Sequence, residues 1–283
     1  MKKGLLKLAM GAMSILALAA CGNTSETADS SATDSAATTT TDKLQEIKDR
    51  GTLVMGTSAD YPPYEWHLIK DGKDEIIGFD IDIAQAIADE LGVELEVKDM
   101  DFDGLIPALT TGKIDMVIAG MNATEERKES VDFTDVYYTQ TDIVVIRKED
   151  ADKFTSEDSL KTAKLATQKA TVQETYLLEA FPEAEIQSVP KWNTAIMSLT
   201  TGKVDAVMMV DTVAKQFIAQ NDDLMVANFD INSTPNAAAI AVAKNGGDFL
   251  ETVNNIVNEM KESGKIEELY QLNDQIVTDN TAE

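Results

Sequence analysis

The 283-residue chain carries 50 acidic against 24 basic residues, a net charge of −26, and 43% of it is hydrophobic. That balance excludes nucleic acid as a partner, because phosphate binding needs clustered cations, and it repels an anionic membrane surface. One histidine and one cysteine leave no His/Cys metal set, no internal disulfide and only His67 for triad chemistry; no cofactor and no metal are expected.

The chain opens "MKK", runs through the mostly apolar "LLKLAMGAMSILALAA" and reaches Cys21 after small residues. Residues 1–20 read as a lipoprotein signal peptide, with an apolar core short of the roughly 20 residues that span a bilayer. "LAAC" at residues 18–21 resembles the bacterial lipobox, in which cleavage leaves the cysteine N-terminal and lipid-modified. Two or more acyl chains on Cys21 give stable anchoring on the outer face of the cytoplasmic membrane. Loss of Lys2, Lys3 and Lys7 with the signal leaves 21 basic against 50 acidic residues, a net of −29. Beyond Cys21, the segment to residue 41 has no large apolar side chain to offset its ordering entropy, so residues 21–41 form the lipidated cysteine and a disordered linker.

From Asp42 the chain reads as alternating helices and strands. "DKLQEIKDRG" is a short helix ended by Gly51, "TLVMGTS" a strand, and "ADYPPYEW" a loop stiffened by Pro62 and Pro63. "GFDIDIAQAIADELG" is the clearest helix, with Asp80 as expected N-cap, Ile81, Ala84, Ile87, Ala88 and Leu91 on one face and Gly92 as stop. "VELEVKDM" alternates as a half-buried strand, "DGLIPALTTG" is a helix with Pro107 in its first turn, and "KIDMVIAG" is a buried strand. Strand, helix, strand in this order implies a right-handed crossover in a parallel sheet. A short helix at "TEERKES" and a strand at "DIVVIRK" follow.

The second half repeats the grammar with "KLATQ", "TVQETYLLEAF", "AEIQSV", "NTAIMSLTTG", "KVDAVMMV" and "VAKQFIAQN". A late strand at "AAAIAVAK" and a helix presenting Phe249, Val253, Ile256 and Met260 complete it, before a last helical turn or two at "KIEELYQL". "ALTTGKIDMVIAG" at residues 108–120 is nearly rewritten as "SLTTGKVDAVMMV" at 198–210. A helix–Gly–strand unit used once per half implies two α/β lobes of like design. Ligands of open parallel sheets sit beyond the carboxyl ends of the strands, so the residues after each copy should face one cleft.

"GTSADYPPYEW", "IIGFDIDIAQAIADELGV", "FDGLIPALTTGKIDMVIAGMNATEERKESVDFT" and "TGKVDAVMMVDTVA" together resemble the bacterial solute-binding proteins of family 3, the amino-acid receptors of ABC importers. The resemblance covers nearly all of residues 51–275 and is most specific between Gly78 and Thr134. It implies a periplasmic-binding-protein-like α/β fold, two lobes joined by two crossing hinge strands around a ligand cleft. Residues 42–140 plus 236–283 would form lobe 1 and 141–235 lobe 2, with crossings near 139–141 and 232–236. The implied partners are a free amino acid, an ABC permease and its ATPase, and the membrane through Cys21; the protein itself would be a monomer and not an enzyme. A dehydratase acting on prephenate-like acids, or a sensor without transport, are the alternatives on the same fold.

A zwitterion taken out of water needs a fixed cation and a fixed anion. The family's arginine in "T-x-E-R" is Arg127, whose planar fork suits a carboxylate. It also sits third in a helix capped by Thr124, where the dipole disfavours a cation. Asn122 and the backbone at Gly120 and Met121 would add hydrogen bonds from lobe 1. "TVQE" is a capping box, so free amides at Thr171 and Val172 offer a second anchor for the carboxylate. Asp211 is the expected ammonium partner. Relatives place this acid five residues after the strand aspartate and Asp211 is six beyond Asp205, so either the strand is irregular or Val210 takes the pocket position. Tyr61 and Phe102 match positions that sandwich the ligand side chain. Ser58 stands where some basic-amino-acid receptors have aspartate, and Asp60 or Glu65 would have to compensate for a cationic ligand.

Overall fold

The computed structural model describes residues 42–281; the signal, Cys21 and the linker lie outside the described residues. Asp42 accepts from the Leu44 amide at 3.0 Å and Gly51 closes the helix at φ 71°, so α1 runs Lys43–Arg50. β1 (Thr52–Thr57) follows. "ADYPPYEW" is not the expected loop: it supplies β2 (Asp60–Tyr61) and the start of β3 (Glu65–Lys70), which with β4 (Lys73–Ile77) form a small antiparallel sheet. The two prolines fall in the turn between β2 and β3, where no ladder hydrogen bond is needed from them.

Next come α2 (Phe79–Leu91), β5 (Glu94–Asp99), α3 (Leu105–Thr110), β6 (Met116–Val117), α4 (Glu125–Ser130) and β7 (Val131–Phe133). β8 (Tyr138–Gln140) leads to β9 (Asp142–Arg147), β10 (Lys164–Gln168), α5 (Val172–Ala180), β11 (Glu185–Val189), α6 (Trp192–Thr200), β12 (Ala206–Val210), α7 (Asp211–Ala219) and β13 (Leu224–Val226). β14 (Asn236–Ala238) and β15 (Ala241–Ala243) replace the single late strand expected, and α8 (Gly247–Glu262) and α9 (Lys265–Thr281) end the described chain.

One five-stranded sheet runs β5-β1-β6-β15-β7 and the other β11-β10-β12-β9-β13, each with its parallel core made by the predicted crossovers. β8 and β14 pair antiparallel, Gln140 opposite Asn236, as the two segments passing between the lobes. The break between β14 and β15 falls where the Ala239 amide donates to Met121 O at 2.9 Å and the chain enters the first sheet. α8 buries Val257 rather than Ile256 beside Phe249, Val253 and Met260.

The doubled segment is a clasp. In both copies a threonine hydroxyl bonds back to the helix, Thr111 to Pro107 O at 2.8 Å and Thr201 to Met197 O at 2.6 Å. Gly112 and Gly202 then both take φ 71°, the left-handed turn that ends a helix. The aspartate that follows grips the neighbouring strand twice. Asp115 donates its amide to Val54 O at 2.8 Å and accepts from Val54 N at 2.8 Å; Asp205 treats Lys164 the same way at 2.6 and 2.9 Å. Each aspartate is also met by cations, Asp115 by Lys43 and Arg50, Asp205 by Lys153 and Arg147. The second threonine, the glycine and the aspartate recur because each has a place in this strand lock.

Asp80 is not the N-cap of α2. Gly78 occupies that place at φ 140°, and Asp80 is the second residue of the helix, fully buried, accepting from the Gly120 amide at 2.9 Å and the Tyr137 hydroxyl at 2.8 Å. The buried face of α2 is Phe79, Ile83, Ala84, Ile87, Ala88 and Leu91, with Ile81 at its margin. A Cβ on Gly78 would lie 1.9 Å from the Tyr64 carbonyl oxygen, a backbone atom. Gly78→Ala is therefore expected to destabilise the fold by about 2–4 kcal/mol through strain and displacement of β3. A denaturant midpoint unchanged from wild type would contradict the close packing of this turn.

Candidate functional site

Lobe 1 reaches the cleft through the turn after β1, through β2 and β3, and through the loop after β6. Lobe 2 reaches it through the β10–α5 loop and the start of α6. They meet around a cavity lined by Ser58, Tyr61, Phe102, Gly120, Asn122, Arg127, Thr171 and Val172, all assigned from sequence. Ala119, Glu65, Gln168, Gln173, Trp192 and Asn236 complete the lining and were not on that list.

Two assigned residues do not line this cavity. Met121 is 1% exposed and packs into the lobe 1 core, because alternation along the extended loop sends Gly120 and Asn122 one way and Met121 the other. Asp211 opens α7 with its carboxylate 3.3 Å from Lys215 Nζ. β12 contains no irregularity: its ladder with β9 is unbroken from Ala206–Ile146 to Val210–Asp142, so Val210 takes the final strand place and Asp211 falls beyond it.

Arg127 is half-buried from α4, and Thr124 caps that helix by accepting from the Arg127 amide at 3.2 Å. Its guanidinium donates to Asn122 O at 2.8 Å and, across the cleft, to Ala170 O at 2.6 Å, while lying 5.4 Å from the centre of the Phe102 ring. Among the described residues it forms no ion pair with a carboxylate. Burial lowers it to about 10, with the charge of Glu126 opposing the shift. A guanidinium has five N–H donors, so a cation held this way retains capacity for an anion.

Opposite it, Thr171 caps α5 by accepting from the Glu174 amide at 3.2 Å. The capping box is altered: Glu174 Oε2 takes the Ala170 amide at 2.5 Å, not that of Thr171. Ala170 sits at φ 63°, which turns its amide toward that carboxylate and leaves the Thr171 amide donating to no described residue. First-turn amides have no intrahelical acceptor, so this edge of the cavity is rich in unspent donors.

Tyr61 and Trp192 stack across the cleft with centroids 5.9 Å apart and planes 26° apart, forming an apolar wall shared by the two lobes. The Trp192 indole nitrogen is buried without a hydrogen-bond partner, as is Oε2 of Glu65. Glu65 is 1% exposed, and burial, then the charge of Asp80, push its carboxyl well above the usual range. Gln173 and Asn236 both donate to Asp142, at 2.8 and 2.6 Å, which fixes their amide nitrogens toward that acid; Asn236 Oδ1 also accepts from Gln173 Nε2 at 3.3 Å, and the Gln173 oxygen is left as an acceptor.

The lobes also meet outside the cavity. The Trp192 amide, at the start of α6, donates to Asp60 Oδ2 at 2.5 Å, and Lys191 Nζ lies 3.3 Å from Ser58 Oγ and 3.4 Å from Asp99. Lys169 pairs with Asp103 at 2.8 Å. Burial raises Asp60 to about 6, although Lys191 and the Trp192 amide pull it down. His67 is exposed, bonded to Asp74 at 2.8 Å, with its Nε2 3.5 Å from Asp99. Among the described residues no group of His, Cys, Asp or Glu is arranged to hold a metal, and no helix is long and apolar enough to cross a membrane.

A sequence profile of the bacterial extracellular solute-binding proteins, family 3, matches residues 53–272. The chain is 34% identical to the arginine-binding extracellular protein ArtP of Bacillus subtilis (strain 168), over 95% of this chain and 96% of that one. An amino-acid ABC transporter substrate-binding protein from Streptococcus pneumoniae, solved bound to L-arginine, superposes with a TM-score of 0.79 at 39% identity, covering 82% of this chain and 98% of that one. The ancestral amino-acid-binding protein AncCDT-1, a precursor of cyclohexadienyl dehydratase, superposes at 0.73 and 38% identity, covering 81% and 97%.

Proposed function

Because the chain belongs to the bacterial extracellular solute-binding proteins of family 3, we propose that it captures a free amino acid, L-arginine first among them, and delivers it to the permease of an ATPase-driven importer. The observation that carries this reading is a cavity with an unpaired guanidinium on one side and an unpaired buried carboxyl on the other, the two charges a zwitterion needs. The ligand carboxylate lies on Arg127 and on the Thr171 and Val172 amides. The ammonium lies toward Glu65, with the oxygen of Gln173 beside it. Glu65 thus replaces Asp211 in the assignment, since the regular end of β12 keeps Asp211 out of the lining. Tyr61, Phe102 and Trp192 cover the stem of the side chain, and Ser58 with Asp60 behind it receives a polar or cationic head.

In this reading lobe 1 comprises residues 42–140 plus 236–283 and lobe 2 residues 141–235, hinged at β8 and β14. A ligand contacting both lobes favours the closed arrangement by its differential affinity. The monomeric protein is held at the outer face of the cytoplasmic membrane by lipid on Cys21, a reading that rests on the "LAAC" motif. A thermal-shift screen against the proteinogenic amino acids tests the function. L-Arginine at 100 times its dissociation constant is expected to add about 2.7 kcal/mol of stability. A screen in which no amino acid shifts the transition would remove the proposal.

A further inference from the structure

Behind the cavity wall lie two carboxyl groups that the ligand contacts alone do not explain. Glu65 on β3 is 1% exposed and Asp80 on α2 is fully buried. Each keeps one buried oxygen, Glu65 Oε2 and Asp80 Oδ1, without a hydrogen-bond partner, and the Asp80 amide donates to the carbonyl of Tyr64 at 3.0 Å, which sets Asp80 beside Glu65. Among the described residues neither is within ion-pair reach of a lysine, arginine or histidine. Two adjacent carboxylates cannot both stay ionised in such surroundings, and one proton between them turns two orphaned oxygens into one hydrogen bond. The proton belongs on Glu65, because Asp80 already accepts from the Gly120 amide at 2.9 Å and the Tyr137 hydroxyl at 2.8 Å, both of which favour its anion.

We propose that the Glu65–Asp80 pair is a proton-binding site whose proton is exchanged for the ligand's ammonium, so that capture of an amino acid releases a proton. The inference rests on the amino-acid reading above and deepens it. The balance is simple: the protonated pair and a cationic group combine to give an ionised pair holding that cation, plus one proton to solvent. Glu65 lines the cavity and is the member a ligand reaches. Asp80, tied to Gly120 and through Tyr137 to the segment leading into β8, holds the pair in place from behind.

The surroundings favour neutrality until a cation arrives. Toward Glu65 stand Asp80 from α2, Asp60 from β2 and the Thr57 hydroxyl from β1, with Tyr61 and Tyr64 packed alongside and Tyr137 beyond. Arg127 enters the same cavity from α4, but its two hydrogen bonds go to the carbonyls of Asn122 and Ala170, not to the pair. Lys191 serves Ser58 and Asp99. A ligand ammonium therefore meets a hydrogen-bonded proton, and affinity rises with pH over the range in which the empty pair holds that proton. The slope of log K against pH approaches one there and falls to zero once the empty pair is ionised.

The test is calorimetric titration of the protein with L-arginine at pH 6–7.5 in pairs of buffers matched in pH but different in ionisation enthalpy. Wild type is expected to release close to one proton per arginine bound, and Glu65→Gln to bind more weakly with no release. A second measurement does not depend on the variant: the infrared carbonyl band of a protonated carboxylic acid should be present in the ligand-free protein at pH 7 and vanish on adding arginine. Arginine binding with no proton released would overturn the exchange while leaving the amino-acid reading intact. If arginine gives no heat in any buffer, the ligand assignment falls and the exchange falls with it.

Discussion

Arg127→Ala is expected to abolish useful affinity for L-arginine while leaving the empty protein as stable as wild type. Breaking a buried charge pair costs roughly 2–5 kcal/mol, a loss of roughly 30- to 4,000-fold in affinity. The stability half of the result follows from the free state. There the guanidinium is desolvated, lowered to about 10, and balanced only by two carbonyl oxygens and a ring face. Removing it relieves a burial cost at least as large as the contacts it forfeits, so the melting temperature should not fall. Arg127→Lys should fall between, since a point charge keeps the sign but not the fork. Calorimetry and thermal unfolding of the same samples decide the matter. A variant that binds normally, or one that loses binding only because it no longer folds, would each displace Arg127 from the carboxylate.

What could be read in the sequence was what chain order and periodicity carry. The twofold "LTTGK-[I/V]-D" marked a unit whose threonine and glycine close one helix and whose aspartate clasps one strand, and the glycines and aspartates of that unit are local devices. Arg127 was legible as the arginine of the family's "T-x-E-R", with side support from its place in the first turn of a short helix, where a cation contradicts the dipole. Trp192, Gln168, Gln173 and Asn236 were not legible, because each owes its place to a fold-level meeting of segments far apart in sequence, and Glu65 was legible only as a counter-charge for a cationic ligand. Trp192, for example, comes to Tyr61 only when α6 docks on β2. Asp80 misled for the opposite reason. A Gly-Phe-Asp opening satisfies N-cap statistics, and only the buried partners Gly120 and Tyr137 show that the carboxyl faces inward. Asp211 misled by one residue, since β12 ends at Val210 and Asp211 opens α7 instead.

The empty protein should become more stable, not less, as pH falls from 8 toward 5. In most proteins, paired carboxylates are lowered on folding and acid removes their contribution. Here the buried acids go the other way: Asp60 and Asp80 are each raised to about 6, Glu65 lies well above the usual range, and Asp82 and Asp142 are raised, in every case chiefly by burial. A carboxyl raised on folding binds its proton more tightly in the native state than in the unfolded chain, so stability grows as pH drops through the native value and stops growing near the unfolded one. His67, raised by Asp74, works in the same direction, its contribution being lost as pH rises through its native value. For Asp60, 8% exposed, a rise from 3.8 to about 6 corresponds to roughly 3 kcal/mol of ionisation cost at neutral pH. Asp60→Asn keeps an acceptor for the Trp192 amide and removes that charge. It is expected to raise the melting temperature at pH 8 by up to about 6–12 °C, at about 2–4 °C per kcal/mol, and to change little near pH 4. A wild-type melting temperature that falls steadily from pH 8 to pH 5.5, or an Asp60→Asn gain of the same size at both ends, would refute this account. Taken with proton release on binding, the same burial that makes the empty cleft most durable in mild acid makes it grip an ammonium best at higher pH.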